Sequence, residues 1–227
     1  MLEDFFKIAS PAFNIENRLP VARPGLPFII GFGLLALAFL LLSWSILGIV
    51  FLILTLFTTW FFRDPKRPIP PGDFGLSPAD GQVIRIDPQA WCPLTGAETI
   101  KVSIFMNLFS VHVNRLPIGG TLVRQDYFRG AFFNADFDKA SLNNERNALL
   151  IEDTRGRRVT VVQIAGLVAR RIVSWVRIGD NLTRGQRFGM IRFGSRLDLY
   201  LPRDAEIMVS LGQKVNAGWS PIWRFSD

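Results

Sequence analysis

One uncharged apolar block constrains this chain more than any other feature of its sequence. From Leu26 to Phe62 there is no charged residue. A single straight helix over the block would be about 55 Å long, whereas the hydrocarbon core of a bilayer is about 30 Å thick. We therefore expect a helical hairpin that turns near Ser43, Trp44 and Ser45. A re-entrant hairpin and one strongly tilted helix are the alternatives.

Basic residues flank the block on both sides. Arg18 and Arg23 precede it, and Arg63, Lys66 and Arg67 follow it. Because positive charge favours the cytoplasmic side, a hairpin would leave both flanks there. This predicts an inner-membrane protein whose remaining chain lies on the cytoplasmic face. A secretory signal is the weaker alternative, since the apolar run is much longer than a signal sequence needs.

The composition of the chain changes after the apolar block. The change predicts two parts, a membrane anchor at residues 1–62 and a domain at residues 63–227. The domain opens with the proline-rich connection "RDPKRPIPPGDFGLSPADG". Short apolar or alternating runs follow, which predict a mostly-β, barrel-sandwich-like fold. "EDTRGRR" is typical of a hairpin turn, and "NADFDKASLNNERN" is expected to be a loop. The predicted strands are "QVIRI", "IKVSIFM", "VHVNRL", "GTLVRQDYF", "NALLIED", "RVTVVQIAG", "RIVSWVRI", "FGMIRFG", "RLDLYL" and "EIMVSL".

Charge and cysteine content narrow the classes of function. The net charge is +7 with a pI near 10.3, which suits nucleic acid or an anionic membrane surface. The apolar block favours the membrane, so no nucleic-acid partner is expected. Cys92 is the single cysteine, which excludes an intramolecular disulfide and a Cys/His zinc cluster. We expect Cys92 to be a packing residue and expect no metal. The sequence leaves open whether the protein forms a homo-oligomer.

Two segments echo each other weakly. "GDNLTRG", from Gly179, and "GQKVNAG", from Gly212, both carry glycines six positions apart with an apolar residue midway. Chance is one explanation. The other is a pair of tight β-turns in which glycine permits a positive φ.

Three residues could carry chemistry, although each has an ordinary structural alternative. His112 shares a strand face with Ser110 and Asn114 in the predicted strand, and histidine is a common general base. A lone histidine on a strand is usually structural. Asp80 precedes a glycine, which is typical of a turn. Ser195 follows a glycine between two strands, where a bend or bulge would explain it.

Together, these segments resemble the short form of the phosphatidylserine decarboxylase family. The resemblance rests on "SPADGQV", "FMNLFSVHVNRLPIGG" and "RIGDNLTRGQRFGMIRFGS", and it covers most of the chain from Phe74 to Trp219. Long-form members carry Leu-Gly-Ser-Thr at the last segment, whereas this chain has Phe193-Gly194-Ser195-Arg196. The difference bears on subclass and on headgroup or lipid preference, including an archaetidylserine-like substrate, rather than on the type of reaction.

The resemblance implies that Ser195 is the precursor of a covalent pyruvoyl group. Its hydroxyl would attack the carbonyl of Gly194 to form an ester, and elimination with hydration would leave the pyruvoyl group at a new N-terminus. The proenzyme would be cut between these two residues into chains 1–194 and 195–227. His112 would take the hydroxyl proton, and Asp80 would orient the imidazole, in the logic of hydrolytic triads.

The resemblance also implies the reaction and its partners. The pyruvoyl group would form a Schiff base with phosphatidylserine at an anionic membrane, and the products would be phosphatidylethanolamine and carbon dioxide. His112 would return a proton to the carbanionic carbon. Four arginines are candidates for the lipid phosphate, although charged strand faces are often merely solvated: Arg115, Arg170, Arg171 and Arg177.

Three other classes of function compete with this interpretation. A membrane-tethered carrier or phosphocarrier domain would use His112 without any cleavage of the chain. A noncatalytic adaptor would bind anionic lipids and need neither His112 nor Ser195. A serine hydrolase would use Ser195 and leave the chain intact.

Overall fold

The computed structural model of the protein describes residues 19–130, 144–166, 171–191 and 195–226. They divide into two compact units, of which one ends at Lys66 and the other begins at Arg67. Most of the loop expected at residues 134–147 lies outside the described residues, as does Gly194.

The apolar block folds as two helices, α1 (Leu26–Leu41) and α2 (Ser45–Phe61). Between them Ser43 has a φ of 63°, which places the turn within the region expected from the length of the block. Gly48 lets the helices approach closely, because a Cβ there would lie 2.5 Å from Cδ2 of Leu40. The helices thus pack against each other as a hairpin.

The helical unit has the surface expected for an apolar environment. Most of its large side chains are exposed, and the stretch Arg23–Leu41 is long and apolar enough to cross a membrane. α2 is shorter. Its hydroxyl groups donate to carbonyls one turn earlier at 2.6–2.8 Å, at Thr55, Thr58 and Thr59. These bonds satisfy polar groups that lipid could not.

The second unit consists of short and medium strands. Their bounds are β1 (Gly75–Leu76), β2 (Gly81–Trp91), β3 (Glu98–Met106), β4 (Val113–Arg115), β5 (Gly120–Phe128), β6 (Arg146–Glu152), β7 (Arg158–Ala165), β8 (Ile172–Ser174), β9 (Asn181–Leu182), β10 (Arg187–Ile191), β11 (Ser195–Leu201), β12 (Ala205–Ile207), β13 (Lys214–Val215) and β14 (Pro221–Phe225).

These strands pair into three antiparallel sheets within the described residues. The largest is curled and has the order β13-β2-β3-β11-β7-β6-β5-β9. The two smaller sheets have the orders β4-β10-β8 and β1-β14-β12. The prediction of a mostly-β, barrel-sandwich-like domain after an apolar helical segment is confirmed.

The large sheet is buried on both faces around its central strand, β11, and the strands β7 and β6 that follow it. All seven residues of β11 are buried, and alternate residues enter different clusters. Leu197 and Leu199 pack in the main core with Trp223, whereas Tyr200 packs in a second cluster with Cys92. Burial on both faces explains why "RLDLYL" alternates in polarity yet lies wholly inside.

The turns follow the sequence signals closely. "EDTRGRR" forms the β6–β7 hairpin turn, in which the amide of Asp153 donates to the carbonyl of Arg157 at 3.0 Å. The two echo segments are also tight turns, each with a two-residue strand inside, β9 or β13. Their four glycines all have positive φ: Gly179, Gly185, Gly212 and Gly218. The turn interpretation of the echo is therefore confirmed.

Some strand predictions were wrong in extent. "EIMVSL" keeps only a short strand that ends at Ile207, and "VHVNRL" begins its strand at Val113. In the latter, Asn107 organises a turn by accepting from the amide of Phe109 at 2.9 Å. That turn delays the extended region, so His112 precedes the strand instead of lying within it.

Candidate active site

Sheet register places two of the three candidate segments at one end of the large sheet. Ser195 at the start of β11 lies opposite Met106 at the end of β3. Gln82, near the start of β2, pairs with Phe105. Asp80 immediately precedes β2 and therefore lies at the same end. Asp80 and Ser195, which are far apart in the sequence, therefore lie at the same end of the large sheet.

Ser195 is fully buried at this end of the sheet. Its neighbours across the strands are Met106 on β3 and Ala165 on β7. Its Oγ donates to Sδ of Met106 at 3.5 Å. The bulge offered as an ordinary explanation for this serine is not found at Ser195 itself, which pairs in regular register.

His112 is also fully buried. Its carbonyl accepts from the amide of Ile191 at 3.4 Å, which ties it to the end of β10. Two residues later, Nδ2 of Asn114 donates to Sδ of Met106 at 3.6 Å. The segment that carries His112 therefore reaches the same sulfur atom as Ser195.

Asp80 is held by a partner that sequence reasoning missed. Arg67 binds both carboxylate oxygens, at 2.5 Å from Nη1 to Oδ1 and 2.7 Å from Nη2 to Oδ2. The amide of Ala217 donates to Oδ1 at 2.8 Å, and the carbonyl of Ala217 accepts from Nη1 of Arg67 at 2.9 Å. Charge-assisted, two-point bonds of this kind fix a carboxylate firmly.

These contacts speak against the ordinary explanation of Asp80 as a local turn residue. Its carboxylate binds a backbone amide 137 positions later in the chain and a side chain 13 positions earlier. Arg67 belongs to the proline-rich connection, and the sequence marked it only as one of the basic residues that flank the apolar block. The structure therefore adds Arg67 to the site. Orientation of His112 by Asp80 stays a prediction.

One of the four arginine candidates for a lipid phosphate, Arg115, has a protein partner for its side chain that the structure describes. Arg115 is buried, and its Nη1 donates to the carbonyl of Gly185 at 3.3 Å. Arg171 and Arg177 are exposed, and Arg170 lies outside the described residues. Within the described ranges, no group of three or more His, Cys, Asp or Glu side chains could hold a metal ion.

Comparison with known proteins decides the family. A family model described as phosphatidylserine decarboxylase matches residues 54–222. The chain belongs to the phosphatidylserine decarboxylase family. A phosphatidylserine decarboxylase proenzyme of Syntrophus aciditrophicus is 51% identical over 90% of this chain and 97% of its own length. The corresponding protein of Syntrophotalea carbinolica is 50% identical over 88% of this chain and 94% of its own length.

A third relative, the phosphatidylserine decarboxylase proenzyme of Solidesulfovibrio magneticus, is 49% identical over 91% of this chain and 97% of its own length. The resemblance found in the sequence is thus confirmed, and the findings support the decarboxylase interpretation over the carrier alternative. The buried Ser195 fits a family of proenzymes, because a reactive group made there would be shielded from bulk water.

Proposed function

We propose that this protein is a phosphatidylserine decarboxylase that is made as a self-cleaving proenzyme. It converts phosphatidylserine to phosphatidylethanolamine and carbon dioxide. The observation that carries the proposal is the convergence of the Ser195 and His112 segments on one sulfur atom, at the end of the sheet where Asp80 is clamped. Family membership supplies the reaction.

Self-cleavage uses Ser195 as the nucleophile. Its Oγ attacks the carbonyl carbon of Gly194, and the chain is cut between these residues into parts 1–194 and 195–227. A hydroxyl is a weak nucleophile at neutral pH and needs a base. His112 is that base, and Asp80 orients its imidazole while Arg67 and Ala217 hold the carboxylate in place.

The pyruvoyl group derived from Ser195 supplies an electron-accepting carbonyl for decarboxylation. The residues around it bind the substrate, shield the reacting carbon from water and supply a proton. Burial of position 195 and of His112 excludes water from the reacting carbon. His112 donates the proton that replaces the departing carboxyl group.

The membrane is the second partner in this proposal. The hairpin of α1 and α2 anchors the protein in the inner membrane, and the catalytic domain lies on the cytoplasmic face beside its anionic lipid substrate. Exposed apolar side chains on both helices and the basic flanks in the sequence support this placement.

Intact-mass spectrometry of the purified protein tests the proposal. We expect two polypeptides, of which the chain 195–227 is lighter than an unmodified serine-ended fragment by the mass of ammonia. Ser195→Ala should give one uncut, inactive chain. An active wild-type protein with a single chain and an ordinary Ser195 would refute the proposed mechanism.

A further inference from the structure

Four side-chain amides run head to tail through the interior of the domain. Nε2 of Gln125 donates to Oδ1 of Asn147 at 3.0 Å, and Nδ2 of Asn147 donates to Oε1 of Gln163 at 2.9 Å. Nε2 of Gln163 then donates to Oδ1 of Asn114 at 2.8 Å. We call these four residues the amide chain. Its last three members are fully buried.

The amide chain ends at the candidate nucleophile. The terminal donor, Nδ2 of Asn114, meets Sδ of Met106 at 3.6 Å, and Oγ of Ser195 meets the same sulfur at 3.5 Å. At its other end, Gln125 also donates to Oγ of Ser174 at 3.1 Å. The amide chain therefore runs from the half-buried hydroxyl of Ser174 to the sulfur that accepts a hydrogen bond from Ser195.

The direction of the amide chain is fixed by its own bonds. Each amide donates its N–H to the next oxygen, so turning Gln163 alone would set two oxygens face to face on one side and two N–H groups on the other. Buried polar groups without partners cost free energy. Turning all four amides together would set Oδ1 of Asn114 against the thioether of Met106, which has no hydrogen to donate. Asn114 therefore presents its N–H group to Met106.

Stability alone does not account for this arrangement. Apolar side chains of similar volume would pack in the sheet without any need for matched donors and acceptors. Methionine has three rotatable bonds and a thioether that accepts only weakly. A donor from Asn114 restricts that flexible side chain and leaves its sulfur facing Ser195.

We propose that Met106 and the amide chain are positioning residues for self-cleavage, which hold the Ser195 hydroxyl in one rotamer with its proton on a weak acceptor. This inference rests on the proposed role of Ser195. A carbonyl or carboxylate acceptor would bind the hydroxyl more tightly and would have to be displaced before reaction. The thioether keeps the buried hydroxyl satisfied, and the hydroxyl loses little when it turns towards the base.

The step served by this arrangement is the acyl shift. Oγ of Ser195 forms a bond to the carbonyl carbon of Gly194, and the amide bond between the two residues breaks. The hydroxyl proton passes through the base to the nitrogen of residue 195. Because that Oγ is no longer present on the mature pyruvoyl end, the positioning is needed for maturation and not for turnover.

Two matched methionine variants test the inference. Met106→Leu keeps the volume but removes the sulfur, whereas Met190→Leu makes the same change at a fully buried methionine on β10. The full chains are made by cell-free translation in detergent, and cleavage is followed over time by gel. We expect cleavage of Met106→Leu to slow about tenfold, because a Ser195 hydroxyl that is free to occupy other rotamers is less often aligned with the carbonyl of Gly194. Met190→Leu should cleave at the wild-type rate.

The matured fraction provides a readout that a merely structural defect would not give. For Met106→Leu, phosphatidylethanolamine formed per pyruvoyl group should equal the wild-type value. Gln163→Met breaks the amide chain two bonds from Ser195 and should also slow cleavage. Thr99→Val removes a different buried hydrogen bond, from Oγ1 to the carbonyl of Ala90 at 2.8 Å, and should not.

The outcomes separate the two proposals. Wild-type cleavage rates in Met106→Leu and Gln163→Met overturn the inference, as does a slowing shared equally by Met190→Leu and Thr99→Val. In either case the proposed function stands as long as Ser195→Ala remains uncut. Cleavage of Ser195→Ala would instead overturn the proposed function itself.

Discussion

At the scale of residues, two arginine–carboxylate pairs share one geometry and differ in exposure. Arg67 grips Asp80 at two points with both side chains largely buried. Arg224 grips Glu206 at two points, 2.7 and 3.0 Å, with both side chains more than half exposed. Solvent screens the second pair but not the first.

We therefore expect truncation of Arg67 to affect stability and cleavage, and truncation of Arg224 to affect neither. Arg67→Ala leaves a nearly buried carboxylate without its cation and should lower the free energy of unfolding by about 3 kcal/mol. It should also slow self-cleavage, because Asp80 is no longer held. Arg224→Ala should change neither property measurably. Thermal unfolding and cleavage time courses check both variants, and equal behaviour of the two would show that Arg67 is an ordinary surface cation.

Substitution of Asp80 tests whether this residue serves self-cleavage or the decarboxylation that follows it. Asp80→Asn keeps the shape but weakens the orientation of the base, so cleavage should slow by about 10⁴-fold, as carboxylate loss does in hydrolytic triads. Lipid product per pyruvoyl group in the matured fraction should remain near the wild-type value. A normal cleavage rate would remove Asp80 from the proposed triad. If His112→Ala also cleaves normally, His112 is not the base.

The sequence pointed to Asp80, His112 and Ser195 because each sits in a distinctive local motif. It could not point to Arg67 or Met106, since both act through contacts between segments remote in sequence. One further signal of the buried amides is present in the sequence. Gln163 interrupts the largely apolar run of β7, and an uncharged amide in such a position needs a buried partner.

At the scale of elements, the β2–β3 hairpin offers a second test. Gly81 follows Asp80 at the start of β2, and a Cβ there would lie 2.1 Å from the carbonyl oxygen of Phe105 on β3. Gly81→Ala must push the two strands apart and should leave the chain largely uncut. Gly96, at the turn of the same hairpin, has a φ of 66° with nothing within 4 Å of an added Cβ. Gly96→Ala should cost only about 1 kcal/mol.

Cleavage measured by gel, with thermal unfolding beside it, distinguishes the two glycines. Cleavage of Gly81→Ala at the wild-type rate would mean that the separation of β2 from β3 does not affect the site. A loss of cleavage in Gly96→Ala as well would assign the effect to the stability of the hairpin instead of the position of Asp80.

Longer strands could be predicted from the sequence, because their apolar or alternating runs indicate which side chains are buried. The two-residue strands β1, β9 and β13 could not. Their pairing is decided by neighbours elsewhere in the chain, as when Val215 on β13 pairs with Gly81 on β2. The glycine echo revealed the turns around β9 and β13 but not their partners.

At the scale of the whole molecule, the placement of the domain can be tested with protease. Protease added to sealed inside-out vesicles should degrade the catalytic domain, whereas protease added to cells with an intact inner membrane should not. The prediction follows from basic residues on both flanks of the hairpin. The reverse pattern of protection would place the domain on the other side of the membrane.

Removal of the anchor provides a separate test of the two units. Deletion of residues 1–62 should raise solubility and preserve cleavage, because Arg67, Asp80, His112 and Ser195 all lie in the second unit. Mass spectrometry of the truncated protein should show the same chain ending at residue 227. An uncut truncated chain that is otherwise folded would mean that the anchor takes part in maturation.

The central position of β11 determines how the mature protein responds to unfolding. Under the proposed cut, the chain 195–227 supplies the central strand between β3 and β7, together with β13 and the two strands β14 and β12 that share a sheet with β1. It cannot leave without opening the core of the large sheet. Because the two chains would separate on unfolding and the missing peptide bond is not remade, we expect thermal denaturation of the mature protein to be irreversible. The working lifetime would then be set by the rate of unfolding.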